Sequence, residues 1–271
     1  MSDFAFNPGD LGVGVADALA GGLGGDGVRL PFKAPFVWWK NGEKREQRGG
    51  GVPYFGGWAI TADELVTIEL AAPEGFKLDT WVGDNGEYEV WASRTVGIAP
   101  IAKRTKWVLN DKGDGRSKLH ILAILGSWDA DAKQYLAYGP AVISASGMAT
   151  KYLMQALKKF EADTAAARKQ YAGNLPASLF YAPVGTFGDA VFEMVGKENK
   201  SAITPPALGP IGDVTPQLLQ ALYIGANSAN EAADYKQQAQ EWLAAWPKSG
   251  KGKADTAPGG SYETESDGVP F

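Results

Sequence analysis

Four stretches of the chain set flat aromatic side chains beside cations. "VWWK" gives Trp38, Trp39 and Lys40, and "WASR" gives Trp91 and Arg94. "KREQRGGGVPYFGGW" gives Lys44, Arg45 and Arg48, then Tyr54, Phe55 and Trp58. "KRTKW" gives Lys103, Arg104, Lys106 and Trp107, followed beyond a turn by Arg116 and Lys118. An unpaired nucleic-acid strand asks for this mixture. Its bases stack on aromatic faces for ~1–3 kcal/mol each, and Lys and Arg follow its phosphates. No base-specific code is implied, because every base has a π-face.

The competing reading makes most of these rings core, since aromatic side chains carry the largest apolar payload. Adjacent Trp38 and Trp39 point to opposite faces of a strand, so at most one of them meets solvent. Trp91 shares its face with Glu89 and Ser93, which favours exposure, and Trp107 aligns with Lys103 and Thr105. The candidate strand-binding set is Trp39, Lys40, Lys44, Arg45, Arg48, Tyr54, Phe55, Trp91, Arg94, Lys103, Arg104, Lys106, Trp107, Arg116 and Lys118. The long basic face of residues 147–172 (Lys151, Lys158, Lys159, Arg168, Lys169) is read as solvated and is left out of it.

Net charge is −5, which taken alone argues against a polyanion. The charges are segregated, however. Thr61 to Glu89 holds eight acids and one base, whereas Arg94 to His120 holds seven bases and two acids. Lys33 to Arg48 is net +3. Clustering of this kind decides local fields more than the sum does.

Most other chemistry is excluded by composition. There is no Cys, so disulfides and thiolate metal sites are absent. His120 is the single His, and it sits in the apolar run "KLHILAIL" with no nucleophile that can be paired with it. The carboxylates between Asp63 and Glu89 lack the compact spacing of a calcium loop and read as a solvated face. The expectation is therefore a non-enzymatic protein with no catalytic residue, no metal and no cofactor.

The last residues raise a separate possibility. "KSGKGKADTAPGGSYETESDGVPF" has no hydrophobic period and is rich in Gly, Ser and Lys, so it reads as a disordered tail. It closes on Asp267, Pro270 and Phe271, with Glu263 and Glu265 upstream. This ending resembles the C-terminal tip of bacterial and phage single-stranded DNA-binding proteins, over roughly the last tenth of the chain. The resemblance implies that the tip recruits replication or repair proteins. A partner would supply an apolar slot for Phe271 with a cation at its lip for the α-carboxylate.

The elements that must position these residues follow from hydrophobic period. Residues 1–30 are Gly-rich and read as a flexible arm. From Pro35 to Ser127 the chain reads as strands, including "ELVTIELAAP", a hairpin at Asn85-Gly86, and a second pair flanking "NDKGDGR". "KQYLAYGPAVISAS" continues as a strand pair or one bent strand. Met148 to Tyr171 then shows helical spacing closed by Gly173. Short strands return, and Thr215-Pro216 opens a helix. A capping box at Ser228–Glu231 starts another helix that carries Tyr235, Ala239, Trp242 and Trp246.

Strands, one long helix, then strands again is not the alternation of a parallel α/β fold. The order predicts a mainly β, α+β protein: an OB-like β-barrel with one long inserted helix and C-terminal helices. The domains expected are an arm (1–30), an OB-like nucleic-acid-binding domain (31–212), helices packed on it (213–246) and the acidic-tipped tail (247–271). The start has no signal-peptide pattern and no run approaches the ~20 apolar residues of a membrane helix, so a cytoplasmic protein without membrane contact is expected. The expected function is sequence-nonspecific single-stranded DNA binding in replication, recombination or repair, in a cellular or phage setting, with homo-oligomerisation open. The alternative is a structural or virion-type assembly protein whose Gly-rich arm and tail join subunits.

Overall fold

The computed structural model describes residues 29–42, 56–83, 86–109, 115–188, 193–195 and 201–245. In chain order these form β1 (Phe36–Lys40), β2 (Gly57–Thr61), α1 (Ala62–Thr67), β3 (Lys77–Gly83), β4 (Gly86–Ser93), β5 (Thr95–Leu109), β6 (Gly115–Asp129) and β7 (Gln134–Ser146). There follow α2 (Met148–Tyr171), a 3₁₀ turn (Ala177–Leu179), β8 (Ala182–Gly185), β9 (Glu193–Val195), β10 (Ser201–Ile203) and β11 (Ala207–Leu208). Three helices complete the described residues: α3 (Pro216–Leu222), α4 (Ala226–Gln238) and α5 (Gln240–Ala244). The fold is mixed α and β.

Nine strands make one sheet, ordered β11-β8-β5-β6-β7-β1-β2-β4-β3, and β9 pairs with β10 separately. All pairs are antiparallel except β1 with β7. Only Arg94 separates β4 from β5, although these strands lie five places apart in the sheet. The sheet therefore curls until the two halves of this bent run meet. Trp58 of β2 crosses the concave side and donates from Nε1 to the Val184 carbonyl of β8 at 2.8 Å.

The two faces of the sheet bury different sets of residues. The inner face carries Val37, Trp58, Ile60, Val96, Ile98, Leu119, Ile121 and Ile143, closed by Leu153, Leu157 and Phe160 of α2 and by α3. The outer face carries Phe36, Ile101, Leu122, Ile124 and Val142, covered by Ala232 of α4 and Trp242 of α5. Burial on both sides explains why β6 reads "KLHILAIL" almost without polar interruption.

The long helix lies where its spacing placed it, and Gly173 follows it with φ +59°. Thr215 caps α3 by accepting from Leu218 N at 3.2 Å. Two expectations need correction. "ELVTIELAAP" does not form a strand: its first half belongs to α1, because Asp63 and Glu64 sit favourably in a helical first turn and Leu65 alone turns inward. Ser228–Glu231 is no capping box either. Helix α4 begins earlier, after Gly225 at φ +84°, and it has no side-chain cap.

Candidate nucleic-acid interface

Register assembles the site. Arg104, His120, Ser144 and Trp38 are partners in unbroken succession across β5, β6, β7 and β1. Partners in one row share a face, and Phe36, two residues before Trp38, places this row on the outer face. The row spans roughly 14 Å, three strand spacings of ~4.8 Å. Beside it runs a second row, Lys106, Lys118 and Ser146.

Lys106 and Lys118 therefore face each other directly. Like charges opposite one another in a sheet are unfavourable, by the same few tenths to 1 kcal/mol that opposite charges would contribute. The next row inward adds Arg104 and His120. Burial, then Lys118, Arg104 and Lys106, hold the His120 imidazole well below its ordinary range, so it is neutral. The Arg104 guanidinium lies 3.6 Å from the centre of the Trp242 ring and donates to the Trp242 carbonyl at 2.6 Å. Its Nη2 is 3.5 Å from His120 Nδ1, and since guanidinium only donates, Nδ1 is the accepting nitrogen. His120 also stacks under Trp242 and meets Phe36 edge-on at 5.2 Å. The arrangement is a positive ridge fixed from beneath by aromatic rings.

Along the row from this ridge stands a pair of indoles. Trp38 and Trp81 lie with ring centroids 4.5 Å apart and 30° between planes, although β2 and β4 separate their strands. The twist and curl of the β3–β4 hairpin bring them together. Lys40 Nζ sits 4.6 Å over the Trp81 ring. Helices α4 and α5 pack chiefly on β5, β6 and β7, so this part of the face is left to the indoles.

The nominated residues fare differently. Lys106 and Lys118 stand on the ridge, partly exposed. Lys103 is exposed but lies opposite Ile121 on the inner side, where burial and then Lys158 of α2 depress its pKa. Arg94 is exposed at the bend and donates to the Gly188 carbonyl. Arg104 is only 4% exposed and is committed to Trp242, so it positions the ridge rather than reaching outward. Lys40 is 3% exposed beneath Trp81. Trp39 is corrected: it faces inward, stacks edge-on against Trp58, and donates to the Thr204 carbonyl at 2.9 Å. Trp91 is likewise on the inner face, opposite Leu78 and packed against the core rather than exposed. Trp107 pairs with Ser117 and Arg116 with Val108, and only their backbone belongs to the described residues. Lys44, Arg45, Arg48, Tyr54, Phe55, Asp267, Pro270 and Phe271 lie outside the described residues.

Sequence reasoning missed Trp38, Trp81 and Trp242 as parts of one constellation. Alternation from Asn85-Gly86 would have set Trp81 opposite Tyr88, as it is. Nothing local joins Trp81 to Trp38 or Trp242 to Arg104. Among the described residues, no group of three His, Asp or Glu could hold a metal, and no helix is long and apolar enough to cross a membrane. Compared with known proteins, the chain matches no family model, no curated protein and no solved structure.

Proposed function

We propose that this chain is a sequence-nonspecific single-stranded DNA-binding protein of replication, recombination or repair, holding the strand on the outer face of an OB-like curled sheet. The observation that supports this most is the register pairing of Lys106 with Lys118 above Arg104 and His120. Two cations set face to face on the outer side of the sheet, beside an imidazole kept neutral by its surroundings, favour a polyanion. The ridge is narrow, bounded by α5 on one side, and continues into aromatic rings. That geometry suits a flexible single strand better than a rigid duplex. Around the ridge the protein performs no chemistry on the strand; it binds, orients and shields.

The C-terminal tip, Asp267, Pro270 and Phe271, is proposed as a separate recruiting element for replication or repair proteins. Proline before the terminal aromatic would reduce the entropy lost on docking, and the acids would speed encounter.

The test is a fluorescence titration of the full chain with oligo-dT across a salt series. Tryptophan quenching that weakens linearly with log salt supports the proposal, whereas large particles formed without DNA and no quenching would favour a structural assembly protein. Removal of residues 263–271 is expected to leave the titration intact and to abolish partner capture.

A further inference from the structure

The Trp38–Trp81 pair has no assigned role, and its surroundings distinguish it from core. Trp58 and Trp39 both give their indole N–H groups to carbonyls. Trp38 does not: its Nε1 is buried without an acceptor among the described residues. An unmet buried donor costs ~1–3 kcal/mol, so a ring needed only for packing would be better served by Phe. The pair also keeps part of its surface in solvent, at the place on the outer face where the helix layer ends. A lysine lies against one of the rings. The row that carries Trp38 begins at Arg104 and His120.

We infer that Trp38 and Trp81 form a stacking station for an unpaired nucleobase, with Lys40 reinforcing the Trp81 ring by its charge. This rests on the single-strand reading above and adds to it a defined position for a base. The occupant is argued from continuity and charge. The Lys106–Lys118 ridge stands in the row beside the one that carries Trp38, on the same outer face, so a strand with phosphates on the ridge delivers its next bases to the indoles. A neutral peptide would gain nothing from that ridge. Cation–π contact stiffens the platform without adding a sequence preference.

The experiment uses the full chain and an oligo-dT strand carrying 5-iodouracil, irradiated and mapped by mass spectrometry. Crosslinks at Trp38 or Trp81 are expected. In parallel, Trp81→Ala should weaken binding roughly tenfold with an unchanged salt slope, and Trp81→Phe should restore most of it, while circular dichroism shows both variants folded. Binding by the parent chain with crosslinks only elsewhere, for instance at the exposed Trp128, and no effect of Trp81→Ala would overturn the station and leave the single-strand reading standing. No binding by the parent chain at all would overturn both.

Discussion

Trp38 and Trp39 are neighbours in the chain and belong to opposite regions of the molecule. Trp39 points to the inner face, where its N–H reaches Thr204 and its ring meets the fully buried Trp58. Trp38 points to the outer face, where its N–H is unmet and its ring meets the partly exposed Trp81. Aromatic content alone does not separate a core ring from a contact ring. Accounting for the polar edge of each ring does: inside, the indole donors of Trp39 and Trp58 each find a carbonyl, and outside, that of Trp38 is sacrificed.

The sharpest way to break the comparison is to remove one ring from each face. Trp58→Ala empties the interior and loses the bond to Val184, so it should cost ~3–5 kcal/mol in denaturant unfolding. Trp81→Ala removes an outer pair and should cost only ~0.5–1.5 kcal/mol. Equal costs would mean that both faces are simply core.

The next effect is a pH dependence with one group on each side of the β1 strand. Glu64 of α1 accepts from Phe36 N at 2.6 Å, and burial raises its carboxyl pKa to about 7 against that hydrogen bond. The folded state thus holds this proton more tightly than the unfolded chain. The stabilisation is complete below the ordinary value of 4.5 and is lost as pH rises through about 7. Unfolding free energy should fall by up to about 3 kcal/mol from acid to alkaline sides of that window, and Glu64→Gln should flatten the fall. His120 acts with the opposite sign. Its pKa is depressed from 6.5, so its contribution is present above that value and is lost as pH drops below it. His120→Phe should remove that acid limb while leaving the Glu64 limb.

Much of this was legible in the chain and some was not. Helical spacing fixed α2 and turn chemistry fixed the β3–β4 and β5–β6 hairpins, because those signals are local. Trp38 and Trp39 were known to face apart, but which one faced the core depended on β7 pairing in parallel with β1, a contact more than a hundred residues distant. Arg104 looked like Lys106 in sequence. It differs only because the strand turns alternate residues the same way and α5 arrives over one of them, from the far end of the chain. Charge clustering pointed to the β5–β6 hairpin and could not say which of its cations the helices would cover.

The smallest effect separates function from stability at the ridge. Lys118→Gln removes one cation from a partly exposed position, so it should change stability by less than about 0.5 kcal/mol while lowering affinity for oligo-dT at low salt. A change that leaves the fold's stability in place and weakens the ligand marks a residue kept for binding.

The central claim is that a single strand lies on this outer ridge, and the salt dependence of oligo-dT affinity tests it most directly. For the double variant Lys106→Gln, Lys118→Gln, the slope of log affinity against log salt should shrink by roughly 1.4, two phosphates at ~0.7 each. A slope identical to that of the parent chain, in a variant that remains folded, would contradict the account.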